Sequence, residues 1–179
     1  MVETPETSMS VKLRKRWISL GLASILAATG AIAMDKESPL ELEGTWVMSA
    51  AYEIKADGTR TTNFGEHPQG LLMVDKAGRY SLQIFRPGRS KFASGDKTRG
   101  TPDEYREAVL GSSTHTGMVS IDRVKHQLTF KIESASYPNW EGAKQVRDYT
   151  YKDGTLSYAV PASAGNGTVA YSVWRRAEP

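Results

Sequence analysis

From Leu42 onward most of the chain alternates apolar and polar positions with period two, and turn-forming residues interrupt it about every ten residues. That pattern predicts strands half-buried against one core. Leu42–Ile54 is the first, with Trp46, Met48, Ala50, Tyr52 and Ile54 on one face. Gln69–Asp75 and Arg79–Arg86 flank Lys76-Ala77-Gly78, a tight hairpin, and place Tyr80, Leu82 and Ile84 on a shared face. Thr114–Arg123 and Gln127–Ser134 flank Val124-Lys125-His126. Lys144–Lys152 and Leu156–Val160 flank Asp153-Gly154, a dipeptide suited to the positive φ angles of a two-residue turn. Thr168–Arg176 is the last strand, after a loop over Pro161–Gly167.

Between the third and fourth strands the alternation stops. Pro87–Gly100 reads as a long loop. Thr101-Pro102-Asp103-Glu104 then carries the marks of a helix start: an N-cap threonine, proline at the first helical position, and a glutamate three residues on that completes a capping box. The helix is predicted to run to Leu110 and stop near Gly111. Eight strands with short connections and one short helix predict an all-β fold. An antiparallel up-and-down meander that pairs its last strand with its first leaves no open edge. A barrel of eight strands is just wide enough to hold one small ligand. A two-sheet sandwich fits the strand count but needs longer crossings than most of those present.

Composition changes the picture mainly at the N-terminus. The chain has 179 residues, no cysteine, 23 Lys+Arg against 20 Asp+Glu, and a net charge of +3. Four of the cations are Lys12, Arg14, Lys15 and Arg16; an uncharged apolar run from Trp17 to Ile32 follows and ends in Ala31-Ile32-Ala33. Charged start, apolar middle and small-residue exit read as a signal peptide over residues 1–33, with an uncleaved anchor as the alternative. The run is short for a permanent membrane span. Cleavage leaves a barrel domain over residues 40–179, exported to a periplasmic or extracellular place. Without residues 1–33 the chain keeps 146 residues and a net charge of +1, which offers no bulk electrostatic case for nucleic acid. The absence of cysteine excludes a disulfide framework, a thiolate metal site and a cysteine nucleophile.

Several runs carry a likeness. Gly44-Thr45-Trp46 opens the first strand as the Gly-x-Trp motif does in lipocalins and related barrels. His67-Pro68-Gln69-Gly70-Leu71-Leu72, Arg86-Pro87-Gly88-Arg89, Phe92-Ala93-Ser94-Gly95-Asp96, Gly100-Thr101-Pro102-Asp103-Glu104-Tyr105, Pro138-Asn139-Trp140-Glu141-Gly142 and Gln145-Val146-Arg147 follow in order. Together they resemble the bacterial and fungal lipocalin-like domain family over roughly residues 40–160. The resemblance implies a single calycin-type barrel. It also implies that an arginine from the last strand, Arg175 or Arg176, packs over Trp46 and closes one end. It implies little about activity, because fold does not determine function. The chain departs from the family at Ser112–Thr116, where relatives carry aromatics, and at Thr129-Phe130-Lys131, where relatives often have a histidine.

The candidate ligand-binding residues are Tyr80, Arg86, His115, Trp140, Arg147 and Tyr149. His115 shares a strand with Gly117, Val119 and Ile121; inside a barrel it binds a carboxylate or moves a proton, otherwise it is satisfied by backbone or solvent. Arg86 and Arg147 either point inward and receive an anion bidentately, or point outward and pair with Glu133 or Asp148. Tyr80, Trp140 and Tyr149 supply aromatic walls, with Trp140 as a lid or a plug. The loop cations, Arg86, Arg89, Lys91, Lys97 and Arg99, either steer an acidic ligand to the mouth or are simply solvated. Three irregularly spaced histidines make no metal site, no Gly-x-Ser-x-Gly elbow or phosphate loop occurs, and no cofactor or catalytic residue is assigned. Three functions remain open: an exported barrel binding a small hydrophobic or amphipathic molecule, a barrel enzyme assisting cyclisation or isomerisation, and an envelope protein that engages a partner through its outer surface.

Overall fold

A computed structural model describes residues 40–160 and 167–177. The signal-peptide reading of residues 1–33 and most of the Pro161–Gly167 loop lie outside the described residues. Eight long strands form one antiparallel sheet: β1 (Gly44–Ile54), β3 (Gln69–Val74), β4 (Arg79–Phe85), β5 (Ser112–Asp122), β6 (Gln127–Ala135), β7 (Lys144–Lys152), β8 (Thr155–Val160) and β9 (Val169–Arg176). A two-residue strand, β2 (Arg60–Thr61), lies against the end of β1. Each long strand pairs with the next, and β1 also pairs with β9 from Trp46↔Arg176 to Ile54↔Val169, so the sheet closes into the expected up-and-down barrel. Closure leaves no unpaired edge along that seam. The helix α1 (Pro102–Leu110) and a 3₁₀ turn at Pro138–Trp140 stand at one end.

The alternation decides which residues face inward. Tyr80, Leu82 and Ile84 are all buried on β4 as the pattern requires. On β1 the pattern breaks. A bulge between Met48 and Ala50 inserts one residue opposite β9, so that Trp46, Met48 and then Ala51 are buried, while Ala50 and Tyr52 are only partly covered. The single face expected for Trp46, Met48, Ala50, Tyr52 and Ile54 is therefore split, because a bulge reverses side-chain parity beyond it. A second bulge on β6 skips Glu133 opposite Thr116 and Gly117. Gly117 has φ +154, and a Cβ there would lie 2.0 Å from the Lys131 carbonyl oxygen, so only glycine fits.

One barrel end is filled. Trp46 and Trp174 are fully buried there, with Leu72, Leu128 and Leu156. Each such side chain contributes roughly 1.5–3 kcal/mol relative to exposure. The Arg176 guanidinium lies 4.5 Å from the Trp46 ring centre and donates to the backbone carbonyls of Glu43, at 2.7 Å, and Glu41. Gly44 gives it room: a Cβ there would come within 2.7 Å of Nη1. The neighbouring Arg175 pairs instead with Val47 and Thr155, one residue out of register with Trp46, so the covering arginine is Arg176.

Candidate functional site

The opposite end is open. The strands stop around a cavity of about 730 Å³. Ala51, Ile84, Ser113, Gln145 and Ser172 lie at its strand walls, Phe64, Tyr137 and Trp140 come from the connections, and Val109 and Leu110 come from α1. Small-molecule sites span this size range and combine an apolar lining with a few polar groups. The helix over the mouth is held by its start rather than by burial, since none of its residues is buried. Thr101 Oγ1 accepts from the Glu104 N–H at 3.3 Å, and the Glu104 carboxylate accepts from the N–H groups of Thr101 and, from the preceding loop, Ala93 at 2.7 Å. The Tyr105 hydroxyl accepts from Gly100 N–H and donates to the Lys97 carbonyl, both at 2.9 Å. Val109 and Leu110 stay exposed toward the cavity, where an apolar ligand gains contact and they lose water.

Below the cavity lies a buried polar cluster. The Tyr80 hydroxyl meets His115 Nδ1 at 2.8 Å. Burial raises the Tyr80 pKa, while burial and the nearby Arg147 charge push His115 down to about 3. Both groups are neutral and share this one hydrogen bond, whose direction follows the His115 tautomer. The His115 ring also packs edge-to-face with Phe130 at 5.9 Å and with Trp140 at 5.8 Å. Trp140 borders the cavity and His115 does not, so the indole stands between the histidine and the open space.

Arg147 is 3% exposed, with its guanidinium 4.2 Å from the Phe130 ring centre and 5.2 Å from that of Tyr158. Burial pulls its pKa down, yet a guanidinium stays cationic. Its Nη2 donates to Gln145 Oε1 at 2.6 Å. Among the described residues no carboxylate pairs with it.

The six residues expected at the site therefore separate. Tyr80, His115 and Arg147 come together, beneath the cavity rather than around it, and Trp140 borders it. Arg86 leaves the group: its Nη2 lies 3.5 Å from Glu107 Oε1 on α1, and both side chains are about one-third exposed. Neither Glu133 nor Asp148 is the arginines' partner; Glu133 pairs with Arg79 at 3.0 Å. Tyr149 shares the inward face with Arg147 but sits two residues nearer the filled end, 5.5 Å from the His126 ring. Of the loop cations, Arg99 pairs with Asp96, and Arg89 covers the Phe85 ring and donates to the Gly111 carbonyl. Gln145, Ser113 and Ser172 were not foreseen. Gln145 carries a usable signal, because it precedes Arg147 by two on one strand face.

A family model described as a lipocalin-like domain matches residues 43–177, from the start of β1 to the end of β9. This chain belongs to that lipocalin-like family. Solved structures to which it is similar include a lipocalin-like protein from Bacteroides uniformis, 16% identical with a TM-score of 0.39, covering 76% of this chain and 98% of that one. Another is an uncharacterized protein from Bacteroides eggerthii, 12% identical with a TM-score of 0.38, covering 76% and 100%. A variant of the fluorescent protein UnaG is 18% identical with a TM-score of 0.34, covering 75% and 95%. No curated protein matches. No helix among the described residues of this lipocalin-like chain is long and apolar enough to cross a membrane.

Proposed function

We propose that this lipocalin-like protein binds one small, mainly apolar molecule in the open end of its barrel, and that it does so as an exported protein after loss of residues 1–33. The cavity of about 730 Å³ supports the binding reading most directly. Its walls mix Phe64, Trp140, Ile84 and Val109 with hydroxyls, the amides of Asn63 and Gln145, and the charged Glu53 and Lys55, which matches a ligand with an extended apolar body and a polar part. The filled opposite end makes entry one-sided, so the ligand enters beneath α1. His115 does not border the cavity and is neutral at ordinary pH, which favours binding over proton transfer. The test is titration with an apolar fluorescent probe. One probe per chain is expected, with quenching of protein fluorescence through Trp140. Ser113→Phe, which adds a ring at the cavity wall, is expected to weaken uptake at least ten-fold. Uptake unchanged by Ser113→Phe, or absent from the wild type, would sink the reading.

A further inference from the structure

Among the described residues, three buried side-chain atoms make no hydrogen bond of good geometry: Arg147 Nε, the Tyr158 hydroxyl and Trp174 Nε1. They are not scattered. Arg147 lies over the Tyr158 ring, Tyr158 stacks on Trp174 with ring centres 6.5 Å apart, and Arg147, Trp174 and Ser172 all interact with the one Tyr158 hydroxyl. β7, β8 and β9 bring them together, with Tyr158 in register with Ser172 and Leu156 with Trp174. Two of the three atoms are N–H groups that can only donate, and the third is a hydroxyl that donates one hydrogen and accepts. One hydroxyl oxygen thus faces more buried donors than it can satisfy in good geometry, and such a surplus is costly and rare in folded proteins.

The Arg147 hydrogen bond has the same character. A guanidinium presents Nε–H and one Nη2–H side by side, an edge that takes both oxygens of a carboxylate. Gln145 fills half of that edge: its single oxygen sits on Nη2, and Nε stays bare. Gln145 and Ser172 border the cavity directly above, so the edge is one side chain away from ligand space.

We propose that this cluster is the head-group subsite of the cavity: the ligand is a carboxylic acid with a mainly apolar body, its carboxylate displaces the Gln145 oxygen to take the Nε and Nη2 edge of Arg147, and Tyr158 and Ser172 donate around it. The inference rests on the cavity-binding reading above. A single buried cation matches a monoanion; a phosphate monoester brings more charge and a third oxygen that the planar edge does not match. Gln145, turned aside, keeps its amide free to donate to the same head group.

The experiment uses two probes of one skeleton, a dansyl-labelled undecanoic acid and its methyl ester, titrated into the wild type, Arg147→Met and Tyr158→Phe at neutral pH. The acid is expected to bind the wild type at least ten-fold more tightly than the ester. Arg147→Met is expected to hold both at the ester's affinity. Tyr158→Phe, which removes one hydroxyl and keeps the ring that packs the core, is expected to lower the acid's advantage several-fold without changing ester binding. Equal binding of acid and ester to the wild type overturns the head-group subsite and leaves the cavity reading standing. An acid advantage that survives in both variants overturns the assignment to Arg147 and Tyr158. Failure of both probes to bind the wild type overturns the subsite and the cavity reading together.

Discussion

Replacing Arg147 by methionine is expected to make the ligand-free protein more stable. Enclosing a guanidinium costs several kcal/mol even after the surroundings relax. Against this stand a charge-assisted hydrogen bond to Gln145 at 2.6 Å, worth about 1.5–3 kcal/mol, and two cation–π contacts, to Phe130 and Tyr158, worth up to about 2 kcal/mol each when desolvated. The two sides nearly cancel, so the arginine sits close to break-even. Methionine has similar reach, carries no charge, and gains roughly 0.3–1.5 kcal/mol for each sulfur–aromatic contact with the same rings. Gln145 is only partly buried and borders the cavity, so its released oxygen meets water rather than becoming a buried orphan. Exchange of a buried ion for an apolar side chain commonly stabilises by about 1–4 kcal/mol. The expected gain here is about 1–3 kcal/mol, a rise in Tm of several degrees for a domain of this size. Guanidinium unfolding of protein stripped of ligand by refolding, followed by tryptophan fluorescence, measures it. A loss of more than about 2 kcal/mol would refute the reasoning: the contacts of Arg147 would then outweigh its desolvation, and the residue would be a structural part of the barrel.

Two further outcomes follow from the same geometry. His115 titrates near 3 in the folded protein against an ordinary value of 6.5, so the unfolded chain binds more protons between those values and stability falls as pH drops from about 6.5 toward 3. The loss is at most about 1.4 kcal/mol per pH unit. His115→Gln is expected to flatten that part of the curve relative to wild type, and parallel unfolding curves at pH 7 and pH 4.5 check it; an unchanged acid sensitivity counts against a buried neutral imidazole. At the filled end, Arg176→Ala is expected to cost about 2–3 kcal/mol through two carbonyl partners and the Trp46 contact, while Arg175→Ala stays within about 0.5 kcal/mol. Denaturation midpoints of the two variants separate them, and equal midpoints would contradict the assignment of closure to Arg176.

The local content of the fold was legible. The hairpin turns, the helix start at Thr101 and the inward set Tyr80, Leu82 and Ile84 depend on neighbours within a few residues, and the structure has them where the pattern placed them. The closing arginine was legible only as a pair, since choosing Arg176 over Arg175 needs the register with β1. The site was less legible. Arg147 and His115 could be named as candidates, but whether they point inward, and how deep below the cavity, could not be read from strand parity. Nothing local distinguishes Arg86, which pairs with Glu107 on α1 at the rim, from Arg147, which is enclosed.

By itself the sequence determined the strands, their turns, the single helix and the family, because period-two alternation, glycine at positive φ and a capping box are written in short stretches of chain. The tertiary structure decided which end is filled, where the cavity lies and which buried donors crowd one hydroxyl. Those depend on the pairing of β1 with β9, on bulges that reverse parity at Ala50 and skip Glu133, and on a register that sets Tyr158 beside Ser172. Arg147, Tyr158 and Trp174 lie on three separate strands, and only the closed sheet brings them together.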